Sequence, residues 1–275
     1  MRIVVTGSSS GIGQALTARL LAHGHHVWGL ARSDQAAAVQ RAGGTLRASR
    51  CDVANWSEVA AAARDVLAAW PELDALVTCA GTQGAIGRTA GIDPERWSAT
   101  VRVNLDGTLF PIRAFFPGLQ RAARRAKIIC FSGGGATKAR PNFSAYGAAK
   151  AAVVRLVETI AEEERATPLD INAVAPGAIN TAMTQAVLEA GPAVAGEAEY
   201  QAAQRQLAGG QAGPDRALDL VEWLLAPASD GISGRLLSAP WDPWPDLARH
   251  REELAAGDIF TLRRITPADR GKSWA

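Results

Sequence analysis

Two hydrophobic periods alternate along most of the chain. Short, β-branched apolar runs fall near residues 2–6, 26–30, 46–51, 73–78, 126–131, 169–174 and 235–239. Several of these are apolar at consecutive positions rather than every second one, which marks strands buried on both faces. Helical patterns fill the gaps, at 13–23, 55–70, 94–121, 144–165 and 214–226. Strands that alternate with helices of this length need crossover connections. The pattern therefore predicts an α/β fold: one doubly wound domain whose seven-stranded parallel sheet is covered by helices on both faces. No internal repeat or low-complexity linker interrupts it, so residues 1–240 are expected to form one domain. The extension 241–275 carries Trp241, Pro243, Trp244 and Pro245, then a charged helix-like stretch, then Ile259 to Ile265. Such a Trp/Pro cluster reads as packing on the same domain; the alternative is that it caps a ligand pocket or reaches a neighbouring subunit.

Composition narrows the class. A chain of 275 residues, 48% hydrophobic, can bury a large core. The net charge is +2 and the 29 basic residues are dispersed, which argues against a nucleic-acid partner. Arg121, Arg124, Arg125 and Lys127 do cluster, and read as a solvated helix end with cations near its negative pole. No run approaches the ~18–20 apolar residues of a membrane span. A strand beginning at residue 2 leaves no room for a signal peptide, so a cytoplasmic location without membrane contact is expected. Cys51, Cys79 and Cys130 lie at or near the ends of apolar runs, and their odd number suits reduced thiols rather than disulfides. His23, His25 and His26 bunch before the second strand without other ligands nearby, so no metal site is expected.

Two stretches carry chemistry. After the strand Arg2–Thr6 comes Gly7-Ser8-Ser9-Ser10-Gly11-Ile12-Gly13, then a helical pattern with Ala15, Leu16, Leu20 and Leu21. A strand, a glycine-rich turn and a helix opening from it form a phosphate cradle: backbone N–H groups and the positive helix end face the anion. The spacing is G-x-x-x-G-x-G, not the general G-x-G-x-x-G. The second stretch is Tyr146-Gly-Ala-Ala-Lys150. Residues at i and i+4 share a helix face, so a phenol and an ammonium are held side by side. A free phenol titrates near pH ~10, and a neighbouring cation lowers that value, making tyrosine a usable acid/base.

Together these motifs resemble the classical short-chain dehydrogenase/reductase family. The resemblance is carried by Thr6-Gly7-x-x-x-Gly11-Ile12-Gly13, Asp52, Ala80-Gly81, Asn104, Tyr146-x-x-x-Lys150 and Pro176-Gly177-x-x-x-Thr181, in the family's order, over roughly residues 1–240. It implies a Rossmann-type fold and hydride transfer between a nicotinamide cofactor and a small-molecule carbonyl or secondary alcohol, with Tyr146 as acid/base. Lys150 would tune the tyrosine and bind the nicotinamide ribose, and Asn104 would hold a water for proton relay. Gly7, Ser9, Ser10, Gly11, Ile12 and Gly13 would cradle the phosphates. Asp52 and Val53 would take the adenine, and Ala80-Gly81 its ribose. Pro176, Gly177, Ile179 and Thr181 would border the nicotinamide. Family members commonly pair the helices equivalent to 94–121 and 144–165, so a homodimer or homotetramer is expected. A non-catalytic sensor or structural member of the family is the competing reading, set against the joint presence of Tyr146, Lys150 and Asn104.

Cofactor choice turns on the end of the second strand, where an acidic residue would bind a ribose 2′-OH and an arginine a 2′-phosphate. Val27-Trp28-Gly29-Leu30 runs into Ala31-Arg32-Ser33, which favours NADP(H) over NAD(H), with Arg32 on the phosphate. Ser10 and the nearby Asp34 pull the other way. Two departures from the family pattern stand out. Cys79 replaces its usual asparagine. Its catalytic serine, thirteen residues before the tyrosine, falls here on Gly133, while Ser132 is fourteen before. Either the Gly133-Gly134-Gly135 run makes a longer loop and Ser132 serves, or the role has passed to Ser144 or is lost. Segments 82–93, 136–144 and 180–212 should shape the substrate pocket, the last as a mobile lid. Gln83, Arg88, Arg140 and Asn142 hint at a polar ligand.

Overall fold

Each apolar run becomes a strand whose alternate residues feed opposite faces of one sheet. A computed structural model describes residues 1–33, 38–41, 43–208 and 213–274. The strands are β1 (Arg2–Thr6), β2 (His26–Ala31), β3 (Ala38–Arg41), β4 (Gly44–Arg50), β5 (Ala75–Thr78), β6 (Ala126–Phe131), β7 (Leu169–Ala175) and β8 (Leu236–Ser238). The helices are α1 (Gly11–Ala22), α2 (Trp56–Ala69), α3 (Pro94–Val101), α4 (Gly107–Leu119), α5 (Ser144–Glu163), α6 (Ala182–Ala195), α7 (Glu197–Ala208), α8 (Asp215–Leu225) and α9 (Arg251–Ala256). Among the described residues the strand order is β3-β4-β2-β1-β5-β6-β7-β8. The seven expected strands pair in parallel. An eighth, β3, was not foreseen; it pairs antiparallel to β4 at the sheet edge.

Two cores follow from the period of two. Val4, Leu76, Ile128 and Ile171 point to one face, under Val59 and Val66 of α2, Phe115 of α4 and Val153 of α5. Ile3, Val5, Val77, Ile129 and Val174 point to the other, under Leu16 and Leu20 of α1 and Val221 of α8. Each fully buried side chain of this size contributes about 1.5–3 kcal/mol, and truncating Phe115, wholly enclosed, would cost about 3–5 kcal/mol. From the extension, Trp244, Leu247 and Leu254 join the second core, and Arg235 donates to the carbonyls of Gly257 and Ile259.

Local signals set several helix starts. The Asn55 side chain accepts from the N–H groups of Ser57 and Glu58 at the head of α2, and Asp93 caps α3, whose first residue is Pro94. The helical run read at 94–121 is not continuous. It breaks at a π-helical turn, Arg102–Asp106, between α3 and α4. The segment 180–212, read as a lid, is largely helical, in α6 and α7; residues 209–212 lie outside the described residues, as does Asp34. The α6 backbone breaks at Gly191, φ 73°, just before Pro192, since proline removes the N–H that the helix would need.

The basic cluster also differs from its reading as a solvated helix end. Lys127 is on β6 and buried, its Nζ 2.8 Å from Asp170 Oδ2 and 2.7 Å from Asp230 Oδ1. Arg125 reaches Asp170 at 3.1 Å. Strand position places Lys127 inside, and the aspartates make that tolerable.

Candidate active site

The glycine turn after β1 is built for close approach. Gly7 has φ +68°, and a Cβ there would meet the Ala80 backbone nitrogen at 2.8 Å; a Cβ on Gly13 would run into the Gly7 carbonyl. Only glycine fits. Ser10 stands at the N-cap of α1 with extended backbone, and its side chain makes no capping bond among the described residues. With no acidic residue in the first turn, the α1 N–H groups remain available to an anion. Ser9 and Ser10 lie in the turn itself. Ala80 N–H donates to Thr6 Oγ1 at 3.1 Å, tying the β5 loop to β1.

The remaining ligand-facing positions gather at the carboxyl ends of the strands, where open α/β sheets bind ligands. Asp52 accepts from the Ala54 N–H at 3.0 Å, and Val53 is buried beside Gly107. Ala31 is buried at the end of β2, Arg32 is exposed, and the strand register sets Arg50 opposite Ala31. Thr181 caps α6 by accepting from the Met183 N–H at 3.2 Å. Its Cγ2 would lie 3.6 Å from a Cβ on Gly11. The Pro176–Thr181 loop and the glycine turn are therefore neighbours, as a dinucleotide spanning both would require.

Tyr146 and Lys150 are one turn apart on α5 and both are buried. Lys150 Nζ donates to the Phe131 carbonyl at 2.8 Å and sits 5.8 Å from the centre of the Tyr146 ring. Burial lowers the lysine to about 8, against smaller raising influences from Cys130 and Cys79. The expected effect on the phenol is not seen in the protein alone. Burial raises Tyr146 above its ordinary value, and the opposing cation is Arg140 rather than Lys150. Arg140 stacks 3.8 Å from the centre of the Phe143 ring and 6.0 Å from that of Tyr146. It is held by Glu199 of α7 at 2.7 Å.

Asn104 lies in the π-helical turn, fully enclosed. Its Nδ2 donates to the carbonyls of Thr82 and Thr100, both at 2.9 Å, and its Oδ1 accepts from the Thr82 N–H at 3.3 Å. These bonds occupy the side chain in pinning the β5 loop. Ser132 is buried and its hydroxyl donates to the Lys150 carbonyl at 3.4 Å. Gly133 faces the tyrosine instead: a Cβ there would overlap the Tyr146 hydroxyl and lie 3.2 Å from Cζ. Ser144, the alternative, accepts from Trp97 Nε1 at 3.1 Å.

A cavity of about 800 Å³ opens beside these groups, its wall including Ile12, Gly133, Tyr146, Gly177, Ile179 and Thr181. Ser132, Lys150 and Asn104 lie behind the wall. Glu199 and Gln206 from α7, and Trp241, Asp242 and Phe260 from the extension, also line it. Glu199 and Gln206 fall in the segment 180–212 expected to shape the pocket, and the extension's residues match its alternative reading as a cap over a ligand pocket. Cys79, beside Gly13, has its thiol pushed up by burial. Among the described residues no group of three or more metal-ligating side chains converges, and no helix is long and apolar enough to cross a membrane.

The model of the short chain dehydrogenase family matches residues 1–191. A short chain dehydrogenase of Monascus purpureus, mpl6, is 32% identical over 78% of this chain and 68% of its own length. The short-chain reductase protein NovJ of Streptomyces niveus is 30% identical, covering 84% of this chain and 89% of that one. Among solved structures, a variant of actinorhodin polyketide ketoreductase with NADPH superposes with a TM-score of 0.75 at 26% identity, over 86% of this chain and 94% of the other.

Proposed function

This chain belongs to the short-chain dehydrogenase/reductase family of NAD(P)-dependent oxidoreductases acting on CH–OH groups, and we propose that it interconverts a carbonyl and a secondary alcohol with Tyr146 as the acid/base and NADP(H) as the preferred nucleotide. The observation that carries this reading is the shared cavity. Tyr146 stands in the same wall as Ile12 of the glycine turn and Gly177, Ile179 and Thr181 of the loop after β7.

The residues fit a dinucleotide. The Gly7–Gly13 turn is packed so closely that a Cβ on Gly7 or Gly13 would strike backbone, and the uncapped start of α1 offers N–H donors to its phosphates. Arg32, with Arg50 beside Ala31, supplies positive charge where a 2′-phosphate would lie, which supports NADP(H). When bound, the nicotinamide ring gives or takes the hydride at C4. In reduction, Tyr146 donates its hydroxyl proton to the oxygen as the carbonyl becomes an alkoxide; in oxidation, the phenolate takes that proton back. Lys150, fixed on the Phe131 carbonyl, stands behind the tyrosine as the next proton donor. Ser132 acts as a positioning residue, bonded to the Lys150 backbone. The extension closes one side of the cavity, and two copies pair through α4 and α5, with Leu109 and Trp56 exposed nearby.

The test is turnover of NADPH against a panel of ketones, aldehydes and keto-sugars, with both nucleotides titrated by fluorescence. Tyr146→Phe should bind NADPH normally and lose turnover by about 10²–10⁴-fold. Tighter binding of NADH than of NADPH would overturn the cofactor preference. Binding without turnover by the wild-type protein would overturn the catalytic reading in favour of a sensor.

A further inference from the structure

Carbonyl reduction places negative charge on the substrate oxygen, and a second donor beside the acid stabilises it. The position facing the Tyr146 hydroxyl is Gly133, which has no side chain to give, and the Ser132 hydroxyl is committed to the Lys150 carbonyl. Gln83 meets the requirement. It is only 5% exposed, it lines the same cavity as Tyr146, and its Nε2 is buried without a hydrogen-bond partner among the described residues. An amide nitrogen has two N–H groups to satisfy, and leaving them bare is a cost that proteins rarely accept without use.

The backbone around Gln83 is held as a functional position would be. On one side, Thr82 exchanges hydrogen bonds with the Asn104 side chain through both its N–H and its carbonyl. On the other, Gly84 N–H donates to Thr82 Oγ1 at 3.1 Å and Ala85 N–H to Thr100 Oγ1 at 2.9 Å. Four bonds thus fix the residues on either side of Gln83 while its amide is left unpaired. The terminal amide torsion is broad, so a small turn presents Nε2 to the cavity.

We propose that Gln83 is a catalytic residue whose carboxamide donates to the substrate oxygen alongside Tyr146, supplying the donor that Gly133, facing the tyrosine hydroxyl, has no side chain to give, and that Asn104 and Thr100 are the positioning residues for it. The inference rests on the reductase reading of the site. In the step, hydride adds to the carbonyl carbon from the reduced nicotinamide. The carbon–oxygen π pair moves to oxygen, Tyr146 gives that oxygen a proton, and Gln83 holds its developing charge without losing a proton.

The experiment compares wild type, Gln83→Met and Tyr146→Phe, using NADPH with 4-nitrobenzaldehyde and ethyl 3-oxobutanoate as probes and thermal unfolding of each nucleotide-free protein. Methionine keeps the length and removes the donors. Gln83→Met should lower kcat and kcat/KM together, by about tenfold to a hundredfold, leave NADPH affinity unchanged, and raise Tm by about 2–4 °C because an unsatisfied polar group has gone. Turnover within about twofold of wild type, or a lowered Tm, would overturn the role of Gln83. A wild type inert on both probes, with Tyr146→Phe equally inert, would overturn the reductase reading along with it; a lowered Tm with a fully active wild type would fall on Gln83 alone.

Discussion

Adding one methyl group at Gly133 tests whether the tyrosine hydroxyl must lie where the structure places it. Gly133 is not among the residues with left-handed backbone, so alanine introduces no backbone strain and the change isolates one contact. The new Cβ would overlap the Tyr146 hydroxyl and stand 3.2 Å from Cζ. Tyr146 is enclosed on α5, 6% exposed, and the helix is anchored in the core through Val153, Val154 and Val157. The ring must therefore give way at its free end, by about 1 Å to restore ordinary contact, and a displacement of that size at reacting groups costs about 10²-fold in rate. Overpacking costs about 1–3 kcal/mol of stability at the same time. Steady-state turnover on whichever carbonyl wild type reduces, followed by reduced-nicotinamide absorbance, reads the first effect; a urea melt reads the second. Gly133→Ala should lose about a hundredfold in kcat with NADPH affinity intact. A kcat within about threefold of wild type would refute the reasoning, because the hydroxyl would then not be confined by Gly133.

Two further outcomes follow from burial. Lys150 is lowered to about 8, so reductive kcat/KM should fall as pH rises through about 8 and the ammonium is lost. Lys150→Arg should remove that limb, because arginine does not deprotonate there. A lysine whose folded pKa is depressed makes stability rise with pH between about 8 and its ordinary value of 10.5, where the unfolded chain holds the extra proton. Tyr146 and the buried thiols of Cys51, Cys79 and Cys130, all raised by enclosure, work the other way as pH passes about 9, so the lysine's contribution is read as the difference in Tm between wild type and Lys150→Arg across the window. Lys127→Met should destabilise by about 3–5 kcal/mol in urea, since among the described residues it leaves buried Asp170 with Arg125 as its remaining cation and the Gly231 N–H as a donor; a loss under about 1 kcal/mol would show the pair to be screened by solvent.

Strand and helix order was legible because consecutive apolar residues and 3.6-residue periods are local properties. The glycine turn and the Tyr146–Lys150 pair could be read for the same reason, each being complete within seven residues. Features that depend on distant partners could not. Lys127 looks like its arginine neighbours until Asp170 and Asp230 are brought beside it. The segment 180–212 is rich in alanine, glycine and glutamine and looked irregular, yet α7 buries only Ala203 among its residues, too weak a pattern for periodicity to reveal. Ser132 and Gly133 are separated by a count of one residue, and only which of the two positions faces the Tyr146 hydroxyl distinguishes them. The short β3 strand has no apolar alternation of its own and exists through pairing with β4.

Burial reverses the order in which the two central groups hold their protons. Free lysine and tyrosine titrate at 10.5 and 10.0, with lysine the tighter. Here the lysine falls to about 8 while the phenol rises, because enclosure penalises an ammonium and a phenolate alike. In the proposed reaction a proton would therefore pass downhill from Lys150 to a Tyr146 that had given its own to substrate. The Lys150 Nζ is 5.8 Å from the tyrosine ring centre, and no direct hydrogen bond joins the two among the described residues, so the transfer would need a bridging hydroxyl or water. The spacing argument placed the tuning cation at Lys150; the fold assigns it to Arg140, with Glu199 setting its position from α7. Under the proposed mechanism lysine would serve as a proton reservoir and arginine as the fixed charge, a division suited to their chemistry, since arginine keeps its charge at every working pH and lysine does not.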